Sequence, residues 1–193
     1  MVAEGLVRVS ERKVAKLQEQ SQMDTTPFEL RPCVTNPGFW FPERPPQAEW
    51  NRVRKAVLTR DNYTCISCGH RALKWMNVHH LAGSENNEVS NLRTLCVACH
   101  AVMHMGLNLQ LDAIEIWKAD ISQVEIIKAT RVGIQQGRSL AEIKATFALK
   151  KGRFSPNSVE WANFLIKKID AEPSAELPKP LCAIFVKKKQ WQI

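Results

Sequence analysis

Four of the six cysteines form two C-x-x-C pairs, Cys65 with Cys68 and Cys96 with Cys99. Each pair, which we call a knuckle, can turn two thiolates toward one ion, and two knuckles complete the tetrahedral shell of a structural zinc site. The alternative is a set of buried or redox-active thiols. It is disfavoured because the cysteines come in pairs and no export signal is visible at the start of the chain. The spacing therefore predicts a closed zinc site.

All five histidines lie close to these cysteines: His70, His79, His80, His100 and His104. A zinc ion with four thiolates needs none of them. His100 and His104 are four residues apart on a segment that continues from the second knuckle, so both imidazoles would project from one face of a helix. We interpret this pair as two ligands of a second, open metal site.

His79 and His80 are adjacent in the stretch NVHHL, residues 77–81. Neighbouring residues on a strand point to opposite faces, so one imidazole can join the second metal site while the other stays free to take a proton. Imidazole titrates near neutrality, which suits a general base acting on water. The residues alone leave open which histidine does which.

The segment 60–106, RDNYTCISCGHRALKWMNVHHLAGSENNEVSNLRTLCVACHAVMHMG, resembles HNH endonucleases of the cysteine-bearing subgroup. The matching features, in order, are Arg60-Asp61, the apolar-His-His-apolar strand, Asn91-Leu92, the second knuckle with His100 directly after it, and His104 one turn on. The resemblance implies an α+β protein with a ββα-metal (His-Me finger) nuclease core. Two strands over roughly 75–94 would precede the helix that carries His100 and His104.

The resemblance also implies roles for individual residues. His80 would be the general base, and Asn91 would tie the loop that keeps the base in line. His79 would bind a divalent metal together with His100 and His104, at a position where many relatives have aspartate. Three imidazoles form a softer site than one with a carboxylate. The expected ion is Mg²⁺, Mn²⁺, Ni²⁺ or Zn²⁺, beside the structural Zn²⁺ of the cysteines.

The activity implied by this resemblance is metal-dependent hydrolysis of DNA phosphodiester bonds, by the chain alone or as a subunit of a restriction or phage-defence system. Double-stranded DNA would be the substrate, and a protein partner or a homodimer is compatible with it. The alternative hypothesis is a non-catalytic zinc-finger module that binds nucleic acid or assembles with another protein.

The chain is basic, with a formal charge of +8, and this favours a polyanionic partner, nucleic acid first and an anionic membrane surface second. Trp75, beside the His79–His80 strand, is expected in the core rather than as a platform on which a nucleic-acid base stacks. No apolar run reaches the roughly 18 residues of a membrane span, so the sequence predicts a cytoplasmic protein without a membrane anchor. The cations expected to meet phosphates near the cysteines are Arg52, Lys55, Arg60, Arg71, Lys74 and Arg93.

The chain is predicted to divide into three segments, 1–47, 48–106 and 107–193. Residues 1–47 comprise a short helix or strand and then a proline-rich arm, in which six of the ten prolines should prevent any regular element. Residues 48–106 form the nuclease domain, which begins with a basic amphipathic helix over 48–60.

Residues 107–193 are predicted to be mainly helical, as a helix-turn-helix-like or partner-docking region. Ser122 with Glu125, and Ser139 with Glu142, have the spacing of capping boxes. Residues 106–117 alternate like one or two short strands, a third helical segment opens at Ser155, and LCAIF near the C-terminus is predicted as a strand.

Overall fold

The computed structural model describes residues 28–35, 45–83, 85–151, 163, 174–177, 179–187 and 191. The architecture over these residues is mixed α+β, as predicted. The predicted N-terminal helix or strand and the helical segment that opens at Ser155 lie outside the described residues. The described elements, in chain order, are β1 (Cys33–Thr35), α1 (Gln47–Arg60), β2 (Met76–His80), a 3-10 turn (Val89–Asn91), β3 (Leu92–Cys96), α2 (Val97–Met103), α3 (Met105–Gln110), β4 (Ile114–Lys118), α4 (Gln123–Gln135), α5 (Leu140–Ala145), β5 (Ser174–Glu176) and β6 (Leu181–Phe185).

The described strands pair antiparallel in three two-stranded sheets, β1 with β5, β2 with β3, and β4 with β6. The β2–β3 hairpin places His79 opposite Arg93 and His80 opposite Leu92. The predicted absence of regular structure in the proline-rich arm is wrong at β1. Cys33–Thr35 is a proline-free stretch whose backbone pairs with β5.

The region 106–117 also differs from its predicted strands. Residues up to Gln110 belong to helix α3, and only β4 is extended. Apolar residues that alternate along the sequence can also lie four residues apart, which is one turn of a helix. Met105 and Leu109 have this spacing, and both are buried. The Asn108 side chain donates to the carbonyl oxygens of Ala101 (3.2 Å) and His104 (3.0 Å), which joins α3 to the end of α2.

The two predicted capping boxes are confirmed. Ser122 caps α4 by accepting from the backbone N–H of Glu125 at 3.2 Å, while the Glu125 carboxylate accepts from the backbone N–H of Ser122 at 2.9 Å. Ser139 and Glu142 repeat the arrangement at α5. Between the helices Gly137 has a φ of +79°, a conformation that glycine adopts without strain.

One hydrophobic core spans the described parts of all three predicted segments. Helix α1 contributes Val57, and strand β3 contributes Leu92 and Leu95, all of them fully buried. Residues from both ends of the chain join the same cluster, among them Leu30, Val34, Ala183, Phe185 and Trp191. The β2–β3 hairpin and the helices after it therefore share one core with the flanking segments.

Arg60 and Asp61 fasten the end of α1 to strand β3. Their side chains form an ion pair of 2.7 Å and are only 15% and 10% exposed. Arg60 also donates to the carbonyl oxygens of Val89 (2.7 Å) and Leu92 (2.6 Å), while Asp61 Oδ2 accepts from the backbone N–H of Thr94 at 2.8 Å. These side chains are bound to the protein itself, so the pair is structural.

Asp61→Ala should lower the free energy of unfolding by about 3 kcal/mol, because it leaves a largely buried guanidinium and a backbone N–H without their acceptor. Urea unfolding measures the change. The matched control is Asp120→Ala, whose ion pair with Lys150 joins side chains that are 78% and 68% exposed. Exposed pairs of this kind contribute about 0–1 kcal/mol. Equal losses in the two variants would contradict the structural role of Asp61.

Candidate metal centres

The four paired cysteines form a compact, buried group, which we call the cysteine cluster. The sulfur atoms of Cys65, Cys68, Cys96 and Cys99 all lie within 4.8 Å of one another, and Cys68 Sγ is 3.7 Å from Cys96 Sγ. All four side chains are buried. The cysteine cluster can hold a structural metal such as zinc.

The first knuckle is a tight turn between α1 and β2. The backbone N–H of Cys65 donates to the carbonyl oxygen of His70, and that of Gly69 donates to the carbonyl oxygen of Cys65, both at 2.9 Å. Gly69 has a φ of +74°, so the turn is favoured by glycine at this position. The C-x-x-C-G sequence thus folds its two sulfurs toward the same point.

The second knuckle lies at the junction of a strand and a helix. Cys96 ends β3 and caps α2, and its sulfur accepts from the backbone N–H of Cys99 at 3.5 Å. The ligands that close the cluster therefore also fix the start of α2. This helix carries His100 on its next turn.

The charge of the donor set explains why a cation fits here. Hydrogen bonding with Cys65 first, and then with Cys96 and Cys99, holds the pKa of Cys68 far below that of a free thiol. Hydrogen bonding with Cys65 and Cys68 raises the pKa of Cys99 above the usual range. Neighbouring thiols in this small space cannot all ionise unless a cation balances them. Zinc, a borderline-soft divalent ion that takes four tetrahedral ligands in structural sites, matches this donor set.

His79, His100 and His104 form a second cluster, with their ligand nitrogens all within 4.8 Å of one another. His79 comes from β2, His100 from α2, and His104 from the junction of α2 and α3. The ring centroids of His100 and His104 are 4.4 Å apart. The ring centroid of His79 lies 5.5 Å from that of His100 and 5.4 Å from that of His104. Strand pairing and helical spacing thus bring together the three histidines that the sequence singles out.

Two of these imidazoles are held in the neutral form. Burial first, and then the charges of His104 and His80, lowers the pKa of His79 to about 3. Burial first, and then the charge of His80, lowers the pKa of His104 to about 4. Neutral imidazole offers a lone pair to a metal, whereas imidazolium does not. At neutral pH both side chains are in the state that binds a divalent ion.

Thr35 orients His104, and sequence reasoning did not identify it. Its hydroxyl lies 3.1 Å from His104 Nδ1 and 3.3 Å from the carbonyl oxygen of Met103. Since a carbonyl only accepts, the hydroxyl donates to Met103 and is left to accept from an N–H at His104 Nδ1. This tautomer leaves His104 Nε2 with the lone pair for a metal. No local pattern marks Thr35, because the contact joins β1 to a helix end 69 residues later.

His80 points to a different set of partners. Its Nε2 lies 3.0 Å from Asn87 Oδ1, and its ring stacks on Trp50 with a centroid distance of 6.2 Å and an interplanar angle of 11°. The Asn87 amide nitrogen donates to the carbonyl oxygen of Glu85, which orients the amide oxygen toward His80. In a neutral His80 imidazole this contact places the proton on Nε2 and the lone pair on Nδ1.

The Asn91 side chain closes the loop between β2 and β3. Its Oδ1 accepts from the backbone N–H of Ala82 at 2.9 Å, and its Nδ2 donates to the carbonyl oxygens of Gly83 (3.2 Å) and Asn86 (2.8 Å). All of its amide hydrogen-bonding groups are thus used within one loop. Asn91 holds the chain that follows His80.

The six predicted phosphate-binding cations divide into two groups. Arg60, Arg71 and Arg93 donate to protein oxygens, Arg71 to Asn62 and Arg93 to the carbonyl oxygens of Ser90 and Leu92. The other three are exposed and form no ion pair within the described residues: Arg52, Lys55 and Lys74. Trp75, predicted to be in the core, is 56% exposed, because it lies in the turn before β2 rather than on the strand.

Comparison with known proteins shows that part of the chain is similar to the type 4 apparatus protein DotN of Legionella pneumophila. The similarity is 27% identity over 99 residues, and it covers 48% of this chain and 46% of DotN. The chain therefore spans less than half the length of this curated relative. No protein-family model matches the chain. Among the described helices, none has the length and apolar character required to cross a bilayer.

Thr35→Val should weaken divalent-metal binding at the histidine cluster by about tenfold, because it removes the acceptor that fixes the His104 tautomer. Calorimetric titration of Ni²⁺ or Zn²⁺ into protein with a loaded cysteine cluster measures the affinity. Thr35→Ser keeps the hydroxyl and should bind like the wild type. An affinity of Thr35→Val within twofold of the wild type would show that Thr35 does not contribute to metal binding at the histidine cluster.

Proposed function

We propose that this chain is a subunit of a multi-protein assembly, in which a metal-stapled core presents a docking surface to a protein partner. One structural observation carries the proposal: an exposed apolar turn, Leu73–Lys74–Trp75, is fixed beside the cysteine cluster. We call it the Trp75 turn. The similarity to DotN supports the proposal, since DotN is by name a protein of the type 4 apparatus.

The Trp75 turn exposes the kind of surface that protein partners cover. The side chain of Leu73 is 76% exposed and that of Trp75 is 56% exposed. Trp75 also has a φ of +62°. A bulky residue in that conformation is strained by roughly 1–2 kcal/mol, and strain of this kind concentrates at functional sites. Tryptophan is also among the residues most enriched at the energetic centres of interfaces.

The turn is anchored on both sides. Before it, Arg71 pairs with Thr64 across the first knuckle, and the backbone N–H of Ala72 donates to the carbonyl oxygen of Tyr63. After it, buried Met76 begins β2, and its carbonyl oxygen accepts from Arg54 Nη2 at 2.6 Å. A surface fixed in advance loses less conformational entropy when a partner binds.

The composition of the turn favours an acidic protein segment over DNA. Affinity for DNA depends on how many phosphates the protein neutralises, whereas the turn presents two large apolar side chains, Leu73 and Trp75, and one cation. Lys74 remains exposed in the turn itself, and Arg52 and Lys55 remain exposed on α1. A partner that combines apolar and acidic side chains would complement this surface.

The docking hypothesis is tested by purifying the chain at its natural level from the organism that encodes it. The wild type should co-elute with a protein partner at a fixed stoichiometry, and Trp75→Ala should elute without it. With the partner co-expressed, the dissociation constant should rise at least about 30-fold in Trp75→Ala, as expected for a tryptophan at the centre of an interface.

The matched control for Trp75→Ala is Val132→Ala, because Val132 is 50% exposed on helix α4. It should bind the partner like the wild type. A wild-type chain that elutes as a free monomer would overturn the proposal, and so would full partner binding by Trp75→Ala.

Metal-dependent hydrolysis of phosphodiester bonds by an HNH-type ββα-metal centre is a second candidate, and the histidine cluster favours it. His79, His100 and His104 offer three nitrogens in one place. A divalent ion bound there would polarise the scissile phosphate. His80, with its Nδ1 lone pair free, would accept the proton of the attacking water. Asn91 would hold the loop behind that base through its contacts with Ala82, Gly83 and Asn86.

Plasmid cleavage tests this second candidate. Purified wild type would relax supercoiled DNA with Mg²⁺, Mn²⁺, Ni²⁺ or Zn²⁺, and His80→Ala would lose at least about 100-fold in rate, as expected for a general base. His70→Ala, which changes a histidine outside the cluster, would retain the rate. Absence of cleavage by the wild type with every ion, or cleavage by His80→Ala at the wild-type rate, would reject the nuclease without affecting the docking test.

A further inference from the structure

Arg131 of helix α4 lies between the cysteine cluster and the C-terminal end of the chain. Its Nη2 donates to Cys96 Sγ over 3.4 Å. Its guanidinium carbon lies 5.3 Å from the centroid of the Trp191 ring. One side chain therefore contacts both a candidate zinc ligand and a residue close to the end of the chain.

Trp191 is buried on the far side of this contact. It is 4% exposed and packs edge to face against Phe185 at a centroid distance of 5.0 Å. Phe185 is buried and ends strand β6, which pairs with β4. Through Trp191, the guanidinium is thus connected to the β4–β6 sheet.

Charge gives this contact its energetic importance. A divalent ion with four thiolates leaves two net negative charges in a buried site, and buried charge is costly unless it is compensated. A hydrogen bond from a cation is about twice as strong as one between neutral groups. Donors to metal ligands orient those ligands and affect metal affinity. Arg131 supplies both a positive charge and a donor to Cys96.

We propose that Arg131 is a positioning residue that couples retention of zinc at the cysteine cluster to the packing of the β4–β6 sheet and Trp191. Zinc-bound Cys96 holds the guanidinium in place, and the guanidinium supports the face of the Trp191 ring. Because such coupling is reciprocal, loosening either side weakens the other. The C-terminal region would then be more ordered in the zinc-loaded protein.

Zinc retention tests the first half of the coupling. Arg131→Gln, loaded with zinc, should release the ion to 4-(2-pyridylazo)resorcinol at least about tenfold faster than the wild type, as expected for loss of a donor to a metal ligand. Lys128→Gln is the matched control, because it removes the same charge from an exposed position on the same helix. Release from Arg131→Gln within twofold of the wild type, or equally fast release from both variants, would overturn the proposal.

Two further variants keep the test decisive if Arg131→Gln folds poorly. Arg131→Lys retains the charge without the planar group, and its release rate should lie between those of wild type and Arg131→Gln. Trp191→Leu keeps an apolar side chain but removes the aromatic ring that contacts the guanidinium. It should release zinc about fivefold faster than the wild type, which corresponds to a cation–π contact of about 1 kcal/mol. Wild-type release rates in both variants would rule out coupling through Arg131.

Hydrogen exchange tests the second half on protein that remains loaded with zinc. Arg131→Gln should exchange faster than the wild type at the amides of β6 and at residue 191, while β2 keeps its protection. Unchanged protection of β6 would mean that Arg131 serves the zinc site alone, and the proposed coupling would be wrong. Faster exchange in every element would equally count against it, since that pattern indicates general destabilisation.

Discussion

Four cysteine sulfurs buried within 4.8 Å of one another can all ionise only around a cation, and the arrangement of the chain around the cysteine and histidine clusters depends on that constraint. The first knuckle follows α1 directly, and the second forms the junction of β3 and α2. An ion held between the knuckles would therefore fix the start of α2. His100 and His104 take their positions from that helix, while β3 positions His79 through its pairing with β2. The histidine cluster is built on the cysteine cluster.

Much of this arrangement could be predicted because it depends on local spacing. The C-x-x-C pairs, the capping boxes of α4 and α5, and the four-residue interval between His100 and His104 each fix geometry within a turn or two of chain. The contacts of Thr35 and Arg131 could not be predicted in this way. They join segments that only tertiary packing brings together, and Thr and Arg are common on surfaces. The exposure of Trp75 was not predicted, because a large apolar side chain favours burial in the core but is not always buried.

The two proposed functions make different demands on the same framework. Docking uses the Trp75 turn, where a strained and exposed aromatic residue is fixed between the first knuckle and β2. Catalysis would use the opposite end of that strand, where His79 and His80 diverge toward different partners. The strand is only five residues long, and at about 3.3 Å per residue its end residues lie roughly 13 Å apart. A partner bound at the turn would therefore lie close to the histidine cluster.

The contact between Thr35 and His104 makes the histidine cluster depend on distant parts of the chain. Thr35 lies on β1, and β1 is held by pairing with Ser174–Glu176, near the other end of the chain. Closing so large a loop costs more conformational entropy than forming the nearby knuckles, and contacts between distant segments generally form more slowly than local ones. The four cysteines all lie within residues 65–99, whereas the hydroxyl that orients His104 belongs to a strand whose partner strand is far along the chain. The complete histidine cluster therefore depends on long-range pairing that the cysteine cluster does not need.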